Sequence, residues 1–140
     1  AAADGDKCKP YRYTTDQPAE DWMTASFNDQ AWKTGRAPFG NELPGVRTAW
    51  QNGDIWLRQT FETTGTDFRT AALVIFYDED TEVFVNGQKI WSHTGFATGY
   101  QIYEVTEALK KALTAGQNTL AVHTHQTGGG QYIDMALLVE

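Results

Sequence analysis

Residues 71–91 read AALVIFYDEDTEVFVNGQKIW, and no other stretch narrows the possible folds as much. Two runs rich in β-branched and aromatic residues, 73–77 and 83–85, flank the acidic turn Asp78-Glu79-Asp80, and a third run, 88–91, follows Asn86-Gly87. An Asn-Gly pair between such runs signals a two-residue hairpin, because a type I′ turn holds both central residues at positive φ. Within the second run, Val83 and Val85 share one face while Glu82, Phe84 and Asn86 share the other, the period of a half-buried strand. The stretch predicts an antiparallel meander in the middle of an all-β domain.

The flanking sequence extends this pattern. Residues 11–14 form a first candidate strand, with Tyr11 and Tyr13 on one face. Residues 55–62 form another, with Ile55, Leu57 and Phe61 opposite Trp56, Arg58 and Thr60. Further strands are expected over 100–105, 118–125 and 132–139, the last two joined by a glycine-rich turn. One short helix is expected over 107–115, capped by Thr106, docked by Leu109 and Leu113 and stopped by Gly116. Residues 16–53 lack clear periodicity, yet Trp22, Phe27, Trp32, Phe39 and Trp50 are too many apolar anchors for disorder. That segment reads as a wrap over the sheet edge.

With 140 residues the chain is long enough to bury roughly two-thirds of its unfolded surface in one core. Residues 1–10 read as a linker or frayed terminus, and 11–140 as a single β-sandwich domain. The start AAADGD fits either a trimmed mature end or a cut from a larger protein. A formal charge of −7 argues against nucleic acid, which requires a basic face. Lys and Arg are scattered, with no basic run that would hold a membrane surface. The single cysteine, Cys8, makes no internal disulfide and reads as an exposed bystander.

Four pieces, FNDQAWKTGRAPFG (27–40), DIWLRQTF (54–61), DEDTEVFVNG (78–87) and NTLAVHTHQTGGGQYID (118–134), together resemble galactose-binding-like jelly-roll domains. Such domains accompany secreted or cell-surface bacterial glycoside hydrolases, among them the sugar-binding domain of family 2 enzymes, and some glutaminase-like proteins. The resemblance spans most of the chain from Tyr11 onward. It implies an antiparallel β-sandwich of jelly-roll type, a secreted or cell-surface location and a covalently linked catalytic domain. The first family motif usually reads Phe-Asp-Asp-Ser-x-Trp, and here Asn28 and Gln30 replace an Asp and the Ser. Many jelly-roll relatives hold a structural calcium ion. The resemblance makes the oxygen-rich loop 16–21 a candidate for one, although no cofactor is required.

His123 and His125 lie two apart on a strand and share a face. If the strands beside the glycine-rich turn pair as a hairpin, Tyr132 and Asp134 lie opposite them. One reading is then a metal site, with Asp134 and His93 completing the ligands. The other, which outweighs it, is a hydrogen-bonded polar cluster beside a sugar site or under the long loop, because one His-x-His without a firm third ligand is a weak signal. Asp134 and His123 would also be two-thirds of a catalytic triad, but no serine or cysteine follows a nucleophile motif. The acids 78–80 read as a solvated turn rather than a glycosidase pair, whose carboxyls face each other across a cleft.

Aromatic residues carry the functional reading. Sugars stack their C–H faces on Trp and Tyr while polar side chains bind their hydroxyls. Trp50, Trp91 and Tyr100 sit in or beside loops with polar neighbours and are the nominated stacking residues, helped by His93 and His125. Trp56 and Arg58 form an alternative flat platform. Trp22, Trp32 and Phe39 are assigned to the core. The sequence is read as a non-catalytic carbohydrate-binding module that targets a larger glycan-degrading enzyme to its polysaccharide or oligosaccharide. The alternative is a structural accessory domain that supports a catalytic neighbour without binding sugar, and a more distant third is a small metal-dependent hydrolase built on the histidine pair.

Overall fold

The computed structural model describes residues 9–41 and 43–140. Cys8 and nearly all of the expected leader therefore lie outside the described residues. The chain begins with β1 (Tyr11–Thr14), β2 (Lys33–Gly35), β3 (Phe39–Gly40), β4 (Thr48–Ala49), β5 (Asp54–Thr63) and β6 (Ala71–Asp78). It continues through β7 (Asp80–Val85), β8 (Gln88–His93), β9 (Gln101–Glu104), the helix α1 (Thr106–Ala112), β10 (Gly116–His125) and β11 (Tyr132–Val139). One sheet has six strands in the order β2-β1-β5-β10-β7-β8, and the other has five in the order β4-β3-β11-β6-β9. Every pairing is antiparallel except the short β3–β4 pair. The expected all-β sandwich with one short helix is the fold that forms.

Alternation decides the core. Ile55 and Leu57 of β5, Leu73 and Ile75 of β6, Val83 and Val85 of β7, Val122 of β10 and Ile133 of β11 are fully buried between the sheets. Removing such side chains from water stabilises the fold by roughly 1.5–3 kcal/mol each. The predicted I′ turn is present, with Asn86 at φ 51° and Gly87 at φ 82°. Asn86 also works outside the turn: its amide NH₂ donates to the Ala112 carbonyl and to Asn118 Oδ1, both at 2.8 Å. Its Oδ1 accepts the Thr119 N–H at 2.9 Å. One side chain thus ties the β7–β8 hairpin to the helix end and to β10.

The central meander is corrected in one respect. β6 belongs to the five-stranded sheet, whereas β7 and β8 belong to the six-stranded one, so the acidic turn carries the chain across the sandwich. The same holds for the glycine-rich segment, since β10 pairs with β5 and β7 while β11 pairs with β3 and β6. A period-two pattern identifies which residues face inward, and it is identical for either sheet. The helix is also shorter than expected. Val105 is its N-cap without a side-chain hydrogen bond, and the Thr106 hydroxyl instead accepts the Ala71 N–H at 3.0 Å. Leu109 and Leu113 are buried, as the docking assignment required.

Residues 15–32 cross the outer face of the six-stranded sheet and build a second apolar cluster there. Trp22 packs with Trp56, Phe84 and Ala121, flanked by Met23, Phe27 and Trp32. Arg58 of β5 holds this roof down. Its Nε donates to Asp29 Oδ2 at 2.9 Å, and its Nη atoms donate to the carbonyls of Trp22, Thr24 and Phe27. The guanidinium also lies over the Phe27 ring, 5.2 Å from the centroid. Phe39 and Trp50, from later in the same segment, enter the central core instead. Gly40 permits that entry, because a Cβ there would sit 2.4 Å from the Gln131 carbonyl oxygen.

Candidate functional site

Register sets three cross-strand rows on the outer face of the six-stranded sheet. Arg58, Ala121 and Phe84 form the first, beneath the roof; Trp56, His123, Glu82 and Ser92 form the second; Asp54, His125 and Asp80 form the third. The roof ends at the second row. His123 lies flat on the Trp56 indole, with centroids 4.7 Å apart and planes 1° from parallel, and Trp22 meets it edge-on.

Polar contacts at this margin converge on one oxygen. His123 Nε2 lies 2.8 Å and His125 Nδ1 2.9 Å from Asp54 Oδ1. An ionised carboxylate only accepts, so both imidazole nitrogens carry their protons toward Asp54. Burial pushes the Asp54 carboxyl upward, but the hydrogen bonds and charge of the two histidines outweigh it and hold its pKa below the usual value. Glu82 behaves likewise. Burial raises it, while the Lys89 ammonium at 2.8 Å and His123 at 3.5 Å leave it lowered.

Beside these rows opens a shallow depression of about 310 Å³, bounded by Asp80, Glu82, Ser92, His93, Thr94, His123 and His125. Of its lining residues only His93 adjoins Trp91 and Tyr77, and it meets them on the inner side of the sheet, since His93 pairs with buried Thr81 and Trp91 with buried Val83. His93 runs nearly parallel to Trp91, 6.0 Å away at 10°, and packs on Tyr77 at 5.2 Å. The Tyr77 and Tyr103 hydroxyls share a 2.6 Å hydrogen bond, and burial together with that bond pushes Tyr77 up to about 12. Asp80 Oδ1 accepts the Gly95 N–H at 2.8 Å and fixes the loop after β8.

The nominated residues are thus divided. His93 and His125 line the depression and are exposed, with Trp91 half-buried behind His93. Tyr100 is 48% exposed but lies on the other sheet, where its ring meets the edge of Phe76 and its hydroxyl donates to Asp134. Burial and the Asp134 charge raise its pKa. Trp50 is corrected outright: it is 1% exposed in the central core and presents no stacking face. Trp56 and Arg58 do face away from that core, but the roof buries them to 8% and 3%, so they form no open platform. Asp134, on β11, is on the opposite sheet from His123 and cannot join it in a metal site or a triad.

Asp54, Asp80 and Glu82 escaped the sequence reading. They meet the histidines only through β5–β10 and β10–β7 pairing, between strands far apart in the sequence, and no local signal encodes that register. Among the described residues no three His, Cys, Asp or Glu side chains converge as metal ligands do. In the calcium candidate 16–21, Asp16, Glu20 and Asp21 are exposed and do not gather into such a group.

No family model matches the chain. No curated protein matches it either. Solved structures do. A β-glycosidase from Bacteroides vulgatus is 21% identical over 94% of this chain and 19% of its own, with a TM-score of 0.64. A glycosyl hydrolase family 2 member from Bacteroides cellulosilyticus gives 16% identity, 93% and 20% coverage and a TM-score of 0.65. Bacteroides uniformis β-glucuronidase 2 gives 16%, 95%, 17% and 0.71. This chain has the fold of an accessory-sized stretch of such glycosidases and spans about a fifth of their length. No helix among the described residues is long and apolar enough to cross a membrane.

Proposed function

We propose that this chain is a non-catalytic, carbohydrate-binding accessory domain of a larger, secreted or cell-surface glycan-degrading enzyme, and that the sugar sits in the depression between His93 and His125. The observation that carries this reading is the convergence there of three imidazoles, two carboxylates and the hydroxyl side chains Thr81, Ser92 and Thr94. Carboxylates and imidazoles bind sugar hydroxyls, and the exposed His93 ring offers a π-face to sugar C–H groups. Asp54, Asp80 and Glu82 make the surroundings negative, which favours neutral sugars over uronic acids. The Asp54 and Glu82 carboxylates are already engaged by histidine and lysine, which suits them to fixing side chains rather than to proton transfer. Binding keeps the linked catalytic domain at high effective concentration on its polysaccharide.

Titration calorimetry with neutral and uronic-acid oligosaccharides tests this. Neutral sugars should bind with Kd of roughly 10 μM to 1 mM, or about −4 to −7 kcal/mol. His93→Ala and His125→Ala should each weaken binding about tenfold in proteins that still melt cooperatively, at a slightly lower temperature because each loses a contact within the fold. The scheme needs no metal, so EDTA should change neither quantity. Absence of binding to any neutral glycan refutes the site. The alternative, an accessory domain with a purely structural role, is favoured by a different observation, the bare apolar face of the five-stranded sheet.

A further inference from the structure

We infer that the outer face of the five-stranded sheet is the surface on which a neighbouring domain of the same polypeptide packs. Register places Ile102, Val74 and Ala136 side by side across β9, β6 and β11, with Leu138 in the next row. Phe76 and Tyr100 close the other end with an edge-to-face contact at 5.5 Å. Ile102 is 73% exposed and Leu138 54%, far beyond what isolated surface apolar residues require explanation for when they are scattered singly. Here they are contiguous. Two carboxylates border the face: Asp134 accepts the Tyr100 hydroxyl, and exposed Glu104, in the Leu138 row through Ala72, accepts the Thr106 hydroxyl and stays at the rim.

Three observations select the occupant. In the similar glycosidases this fold is 17–20% of one longer chain, so a covalent neighbour is present at high effective concentration. The three strands span roughly 10 Å by 14 Å of sheet, well short of the ~800 Å² per partner of an independent dimer. They suffice for the dry centre of an interdomain contact, which buries about 600–1,500 Å² in total. The centre of the face is branched and aliphatic, Val74, Ile102 and Leu138, rather than the planar rings a glycan stacks on. This inference rests on a linked neighbour but not on sugar binding.

Carbene footprinting of the 140-residue chain and of the polypeptide encoded by the whole reading frame tests it. Labelling of Ile102 and Leu138 should fall at least fivefold in the longer polypeptide, while His125 stays labelled. The double variant Ile102→Asp/Leu138→Asp should split the longer polypeptide's melting into separate transitions and shift the 140-residue chain's single transition by only a few degrees. Equal labelling in both proteins overturns the inference. So does a reading frame that ends at Glu140, or a concentration-dependent dimer of the short chain that protects the same two residues. None of these outcomes alters the glycan titration, so the two proposals fail separately.

Discussion

The outer face of the six-stranded sheet presents Trp56, Arg58, Phe84 and Ala121, and residues 15–32 cover them. The outer face of the five-stranded sheet presents Val74, Ile102, Ala136 and Leu138, with no such cover among the described residues. Strand alternation treats the two faces alike, because in both cases these are simply the residues that do not point between the sheets. Their fates differ because a remote segment with four aromatic or sulfur-bearing anchors reaches one face and not the other. A residue on the outward side of a strand is therefore exposed or buried by what lies far away in the chain, and the covered face becomes a second core.

The largest effect expected from this contrast is on the roof. Arg58→Ala leaves Asp29 and three backbone carbonyls without their shared donor. Asp29 is partly exposed and can rehydrate, so the loss comes mainly from the charge-assisted bonds to the three carbonyls, about 2–4 kcal/mol. Trp22→Ala removes the central side chain of the cluster and should cost about 3–5 kcal/mol. Urea unfolding measures both. A loss under about 1 kcal/mol in either protein would mean that the roof is only draped on the sheet, and the two faces would then differ less than their burial implies.

Much of this was legible in the sequence, and what was not has a physical reason. Asn86-Gly87 declared its turn because few residue pairs tolerate positive φ twice. Ile55, Leu57, Val83 and Val85 declared their faces because the strand period is local. Trp50 was misplaced as a stacking residue, since a tryptophan among polar neighbours looks the same whether its loop folds inward or out. Arg58 was misplaced because its partners are Asp29 and three carbonyls on a segment without periodicity. The depression was half visible: His93 and His125 were nominated, while Asp54, Asp80 and Glu82 depend on register between strands distant in sequence.

Acid should separate the open corner of the roofed sheet from the crossing between sheets. Asp54 and Glu82 have lowered pKa values, so the stability they contribute is present above the unfolded carboxylate range and is lost as pH falls through their folded values. Asp78, at the crossing, has the opposite sign. Burial, then the adjacent Glu79 charge, raises it to about 6. The folded state then holds more protons than the unfolded one between the ordinary aspartate pKa and about 6, and stability falls as pH rises through that window. Stability should accordingly rise from pH 7.5 to 5 and fall again below about pH 4. Asp78→Asn should gain about 1 kcal/mol at pH 7.5, discounted for partial solvent screening, and flatten the upper limb. A variant that keeps the wild-type slope between pH 7.5 and 5 would assign that slope to another group.

The smallest effect is the one that defines the bare face. Ile102→Asp and Leu138→Asp, each made singly in the 140-residue chain, place a carboxylate where water already reaches, so neither desolvates a charge nor opens a cavity. Surface substitutions of this kind usually stay within about 0.5 kcal/mol. The β-propensity lost on replacing Ile102 in β9 adds a few tenths in the same direction. Phe84→Asp, the matching change on the covered face, should by contrast lower stability about as much as Trp22→Ala does, because it buries a carboxylate against Trp22 and Ala121. Paired urea melts of the three proteins measure the difference. A penalty above about 1.5 kcal/mol for Ile102→Asp would mean that the short chain already covers this face, and the contrast between the two sheets would collapse.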